Sequence, residues 1–397
     1  MRKRFMTLDY GSCMTRTSVC AYPWDLLGDP GVRDRLARLR GAGVTSVAIA
    51  AAYHSVRAAT PMHPHHQVVD ARHAAFYLPV RESVWSGSDL VPEEATAWAG
   101  DDSFRRAAEV VRSCGLDVEA WMVLTHSSEL GRTRPQLCVR NAFGDVYRYA
   151  LCPAHPSVVD YAVTLVEETI ALGGVQAFMI EASGPLGVGH LGHHEKTSGA
   201  EWSEVQEALL SICFCARCAA ALTGAGVDPD ALAARVREAV RSPAPGDVDD
   251  VLGDAARVAF AARTSARAAL TRAVSAAARA GGAGRLSFHA QCEEWAVGPF
   301  AALLDQPGRA AAAADAFVLP GGVAAGGERE YARARAEAGS AALGVYVSAL
   351  PPAVPDELAT RWAGLVDLGY DELCIYHLGL VSRRRFDAVV AAVRQLP

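Results

Sequence analysis

Short apolar, β-forming runs alternate with longer helical patterns along almost the whole chain, and this alternation restricts the fold more than any other feature. The runs are Ser18–Tyr22, Val44–Tyr53, Asp117–Leu124, Val175–Ile180, Arg285–Phe288, Ala314–Leu319, Leu343–Ser348 and Glu372–Tyr376. Helices are predicted over Asp29–Arg40, Asp102–Cys114, Pro156–Leu172, most of 202–280, Glu328–Ala338, Pro355–Leu368 and Arg383–Gln395. Their ends carry capping signals, such as Pro156 at a first helical position and Gly41 just past a last one. Val44–Tyr53 is apolar without alternation, the pattern of a strand covered on both faces, as in parallel sheets. Serial βα units build a parallel sheet with right-handed crossovers, and eight of them close as a (β/α)8 TIM barrel. An open dinucleotide-binding sheet would carry G-x-G-x-x-G after a strand, and no strand here is followed by one, so no nucleotide cofactor is expected.

A barrel needs about 250 residues. The chain has 397, read as one domain over 1–397. The surplus falls after strands two, three and four (54–101, 125–155 and 181–201) and in a helical insertion at about 219–255. Long loops at the C-terminal ends of strands are where barrel enzymes build their sites. Composition excludes several classes. With 51% hydrophobic and 21% charged residues the chain is not disordered. A net charge of −6 gives no nucleic-acid footprint. No apolar run is long enough to span a membrane. The N-terminus lacks a signal-peptide core and the cysteines are too sparse for a disulfide scaffold, so a cytoplasmic location is expected. Of the 38 basic residues only Lys3 and Lys196 are lysines, which confines imine chemistry to those two positions.

The strand ends carry the chemistry. They present Tyr53 and His54, then His126 with Glu129 close behind, Glu181, His289, and Tyr376 with His377. Four of the 12 histidines thus fall at equivalent positions on different strands. One reading of such a mouth is glycoside hydrolysis, which sets two carboxyl groups across the scissile bond. Glu181 interrupts an apolar strand, so burial is expected to raise its pKa and suit it to general acid catalysis. Glu293, Glu294 and Glu129 are the candidates for the second carboxyl. Tyr53, His54, Arg57, His126, His194, His289, Trp295, Tyr376 and His377 are candidates for contacts to sugar hydroxyls and ring faces. A second reading uses the same histidines with a carboxylate as ligands of a catalytic metal in an isomerase, lyase or hydrolase. A third is a degenerate barrel that binds a sugar without turning it over. The expected partner is a small carbohydrate-like molecule, with a homo-oligomer also open.

Cys213, Cys215 and Cys218 form a C-x-C-x-x-C cluster with the spacing of a structural zinc site. A fourth ligand must come from elsewhere, with Cys152, Cys138 and His155 as candidates. This cluster, placed after the fourth strand, resembles the zinc site of family 42 β-galactosidases. Those enzymes are TIM barrels, and their zinc takes one further cysteine from upstream. The segments AYHSVRAATPMHP, NAFGDVYRYALCPAHPSVVDYAV, FMIEAS, GHHEK and SICFCARC also resemble glycoside-hydrolase-like barrel proteins of actinobacteria. The resemblance implies a carbohydrate-active barrel with a structural Zn2+ and assigns Glu181 as a possible acid/base. It departs at two points. Strand four ends Ile180-Glu181 without the preceding Asn of that clan. Strand seven ends Ser348-Ala349-Leu350 and supplies no nucleophilic Glu.

Overall fold

The computed structural model describes residues 15–189, 196–243, 245–303, 314–321 and 327–396. Eight parallel strands form a closed ring: β1 Arg16–Ala21, β2 Ser46–Tyr53, β3 Asp117–Val123, β4 Ala177–Glu181, β5 Arg285–Gln291, β6 Ala316–Pro320, β7 Ala342–Ser348 and β8 Glu372–Tyr376. Closure is visible at Val19, which pairs with Val47 of β2 on one side and Ile375 of β8 on the other. The outer layer contains α1 Val32–Arg40, α2 Ser103–Ser113, α3 Pro156–Gly173, α4 Asp254–Ala280, α5 Gly327–Ala338, α6 Leu358–Leu368 and α7 Arg383–Val393. All residues of β2 are buried, which accounts for its unbroken apolar sequence.

Element identity follows the expectation from sequence, and the differences lie at ends. β1 starts two residues earlier than its apolar core, because Arg16 and Thr17 pair with β8. β5 runs on through His289 to Gln291, beyond the apolar run. Its last residues face the barrel mouth, where polar side chains are part of the wall. The stretch 202–280 breaks into helices Glu204–Leu210, Ala216–Gly224, Pro229–Arg241 and Val248–Leu252 before α4. The first four pack around a second apolar cluster that includes Leu209, Leu222, Leu232, Val236 and Leu252.

The other insertions are hairpins. Val56–Ala59 pairs with Val68–Ala71 after β2, and Cys138–Arg140 pairs with Val146–Leu151 after β3. The barrel interior is layered. At the N-terminal end Arg16 donates to Glu119 at 2.7 Å, and Arg285 is paired with Glu372. Above them Cys20, Cys374 and Met179 meet at sulfur separations of 3.6 and 3.5 Å. The aromatic and titratable layer described below sits on these sulfurs. Glu119 is a buried carboxylate that accepts from both Arg16 and Ser46. Glu119→Ala is expected to cost about 3 kcal/mol, read from urea unfolding curves. An unchanged midpoint would show that the ion pair contributes nothing net.

Candidate active site

Successive strand residues point to opposite faces, so Met179 and Glu181 of β4 face the interior while Phe178 and Ile180 face the helices. The burial of Glu181 therefore comes from across the barrel and not from its sequence neighbours. Trp121 of β3 donates its indole N–H to Glu181 Oε2 at 2.7 Å, and His289 Nδ1 of β5 lies 3.7 Å from the same oxygen. Arg57 and Arg140 do not pair with Glu181: Arg57 is exposed and Arg140 donates to the Gly144 carbonyl. Burial pushes the Glu181 carboxyl up to about 7, against the opposing pull of the Trp121 hydrogen bond. A tenth of the side chain remains exposed, enough for contact with a ligand.

The backbone behind Glu181 is tightly specified. Ala182 has φ 50°, the left-handed region that costs a residue with a Cβ about 1 kcal/mol or more. Three hydrogen bonds hold it there. Its N–H donates to the Pro299 carbonyl at 3.0 Å, and its carbonyl accepts from Thr125 N–H and Oγ–H at 3.1 and 2.8 Å. The loops after β3 and β5 thus aim the carboxyl.

Aromatic rings enclose the interior. Tyr53 meets Trp121 edge-on at 4.5 Å and stacks on His54 at 4.2 Å. His54 faces His126 at 4.6 Å, and Tyr149 stands beside His126. His289 is sandwiched by Phe300 at 4.6 Å and Tyr346 at 5.3 Å. Tyr376 contacts both Trp121 and Tyr346. Burial lowers His289 and His377 to about 3 and lowers His54 as well, so these rings are neutral at physiological pH.

Strand-end reading missed Asp25. It lies in the short helix Pro23–Leu26 directly after β1 and is 5% exposed. Its Oδ2 accepts from the Tyr22 N–H at 2.8 Å and lies 3.8 Å from His377 Nδ1. Burial pushes this carboxyl up to about 7 too. His377 Nδ1 accepts from the Gly379 N–H at 3.1 Å, which leaves its proton on Nε2. The His377 ring lies 6.1 Å from the ring of Trp121, whose N–H is bonded to Glu181. The signal available in sequence was Tyr22-Pro23-Trp24-Asp25 at the end of the first strand, an acid set among aromatics.

The other candidates stand apart. Glu129 is tied to Arg132 on its own helix. Glu293 and Glu294 are exposed and line a cleft against Glu204, Glu207 and Arg333. Trp295 packs on Phe260 in the seam between barrel and insertion. His194 lies outside the described residues. The four strand-end histidines divide into His54 with His126, His289 with Glu181, and His377 with Asp25. Among the described residues, the one group of metal-type ligands that converges is Cys152, Cys213, Cys215 and Cys218, with all four sulfurs within 4.8 Å of one another. Cys138 lies instead against the backbone carbonyls of Gly131, Arg134 and Arg148.

The architecture defines an α/β barrel of the kind found in glycoside hydrolases. The catalytic domain of β-amylase from Paenibacillus polymyxa superposes with TM-score 0.59 at 11% identity, over 96% of this chain and 97% of that one. α-L-fucosidase isoenzyme 2 from Paenibacillus thiaminolyticus gives 0.54 at 12% identity over 96% of this chain, which spans 49% of that enzyme. β-Galactosidase from the psychrophilic Marinomonas ef1 gives 0.53 at 11% identity, over 95% of this chain and 59% of that one. At such identities the likeness is one of fold. No protein family and no curated protein matches the sequence. Among the described residues no helix is long and apolar enough to cross a membrane.

The raised carboxyl pKa has a stability consequence. Well below pH 4.5, Glu181 is protonated in both folded and unfolded chains and contributes nothing. As pH rises toward about 7 the unfolded chain releases the proton first, so the native state loses stability, by on the order of 3 kcal/mol in total. Glu181→Gln is therefore expected to melt higher than wild type at pH 8 and close to it at pH 4. A lower melting temperature at pH 8 would show that the carboxylate is stabilised in the folded protein.

Proposed function

We propose that this barrel cleaves or transforms a glycosidic or carbohydrate-like small molecule, with Glu181 as general acid. The observation that carries the reading is a carboxyl held near pKa 7 at the end of β4, inside an aromatic enclosure. A general acid works best with a pKa near the working pH. The Trp121 N–H engages Oε2, which leaves Oε1 to carry the proton toward a leaving-group oxygen. Neutral histidines can both donate to and accept from sugar hydroxyls, and the partly exposed Tyr376 suits contact with a sugar ring. Asp25 is the second buried carboxyl of the mouth, 3.8 Å from the His377 ring. The fold shared with amylase, fucosidase and galactosidase structures supports the carbohydrate class.

A panel of p-nitrophenyl glycosides tests this. Glu181→Gln is expected to lower kcat by 10²-fold or more at unchanged near-UV circular dichroism, as loss of a general acid does. The wild-type rate is expected to fall as pH rises through about 7, because the acid must be protonated to act. Equal rates for variant and wild type would remove Glu181 from the chemistry. Sugar binding without product, followed by mass spectrometry, would support the degenerate barrel, to which the exposed Ser348 at the end of β7 already points.

We also infer that the four cysteines hold a structural Zn2+. A tetrahedral site with Zn–S bonds of about 2.3 Å has sulfur–sulfur edges of about 3.8 Å. Cys152 lies 3.6 Å from Cys218 and 3.8 Å from both Cys213 and Cys215. These separations fit a thiolate tetrahedron, and they are far longer than the roughly 2 Å of a disulfide. Elemental analysis is expected to find one zinc per chain in the wild type and none in Cys218→Ser. Stoichiometric zinc in that variant would place the metal elsewhere.

A further inference from the structure

We propose that the four-cysteine site is a latch for the β3 wall of the mouth, so that metal occupancy sets where His126 and Tyr149 stand. The proposal rests on the zinc reading above and adds a role to it. Cys152 directly follows the hairpin strand Val146–Leu151, which carries Tyr149 beside His126. That strand lies along the end of β3. Leu151 N–H donates to the Thr125 carbonyl at 2.8 Å, Ser127 N–H donates to the Tyr149 carbonyl at 3.0 Å, and His126 bridges to Ala150. The Tyr149 ring stands edge-on to His126, and His126 in turn faces His54. Two residues, Ala150 and Leu151, therefore separate the Cys152 sulfur from a ring of the mouth.

The segment moves as a unit because it is packed as one. A Cβ on Gly131, in the helix Ser128–Thr133 that follows His126, would come within 1.7 Å of the Arg148 carbonyl oxygen. Helix and hairpin are in backbone contact, with no side chain between them to absorb a shift.

The other three sulfurs belong to the insertion after β4, where residues 211–215 are not helical and Cys215 caps the helix Ala216–Gly224. The cysteine cluster thus joins two insertions that leave the barrel from different strands. Among the described residues the other ties between them include Arg237, which donates to the Ala142 carbonyl at 2.7 Å, the Arg241 guanidinium over the Phe143 ring at 5.1 Å, and three hydrogen bonds between neutral groups. Tyr149 Oη donates to Gly187, Tyr147 Oη donates to Leu210, and Phe214 N–H donates to Arg140, at 2.9, 2.8 and 2.7 Å. Such bonds are individually weak in net terms, whereas thiolate–metal bonds supply folding free energy outright. Without the metal, three buried thiols and the half-buried Cys213 lose the interaction that holds them together.

Hydrogen–deuterium exchange on the full chain tests the latch, with metal content measured on the same samples. Zinc-loaded protein is compared with Cys218→Ser and with wild type stripped by a zinc chelator, which keeps the test open if the variant fails to fold. The latch predicts at least tenfold faster exchange in peptides covering 124–130 and 146–152 after metal loss, with 285–291 unchanged. It also predicts that the 15N-labelled imidazole of His126, assigned through His126→Gln, shifts on stripping while those of His289 and His377 stay put. Faster exchange confined to 213–224, with a fixed His126 signal, would overturn the latch and leave the zinc site standing. Wild-type protein that contains no metal would overturn the zinc reading and the latch with it.

Discussion

Closure of the strand ring is the constraint on which the remainder depends. β1 pairs in parallel register with both β2 and β8, so no strand edge is left among the eight. All C-terminal strand ends then come to one rim, because every strand runs the same way. Residues far apart in sequence, such as Asp25, Trp121, Glu181 and His377, meet there. Alternation along each strand decides which of them face inward. Glu181 points into the barrel for the same reason that Met179 and Cys20 do, and the sulfur layer below closes the interior to water.

That geometry sets up a conflict between stability and chemistry. Two carboxyls are removed from solvent with little to balance them: an indole N–H for Glu181 and one backbone N–H for Asp25. A protein optimised for stability alone would pair each with an arginine, as the other end of the barrel does with Arg16 and Arg285. The two ends of one barrel show the two solutions. The N-terminal end pairs its acids with arginines, and the C-terminal end leaves Glu181 and Asp25 with pKa values that burial has raised. The strain at Ala182 belongs to the same pattern, since the loops after β3 and β5 hold a costly backbone conformation directly behind Glu181.

The insertions supply what a bare barrel lacks. The hairpin after β3 and the helices after β4 build a wall beside His126, and the cysteine cluster joins them. The two insertions meet through this sulfur group, through hydrogen bonds such as Arg237 to Ala142, and through the Arg241–Phe143 contact, whereas the barrel strands are joined by a continuous ladder. Of the four histidines only His126 is joined to the hairpin, whereas His289 lies within β5 and His377 directly after β8.

Periodicity alone determined the fold. Eight apolar runs with capped helices between them admit few arrangements, and a parallel sheet buried on both faces leaves its mark in the unbroken apolar stretch of β2. The strand-end position of Glu181 and the four histidines, and the local spacing of Cys213, Cys215 and Cys218, were legible for the same reason: each is a short-range pattern. Tertiary structure decided everything that depends on which distant segments touch. It selected Cys152 over Cys138, placed Asp25 against His377, left Glu129, Glu293 and Glu294 beside arginines or solvent, and split the four histidines into one pair and two singles, each single beside a carboxyl. The sequence could place a carboxyl at a strand end. Whether that carboxyl is a proton donor depends on the side chains that surround it, and these come from other strands.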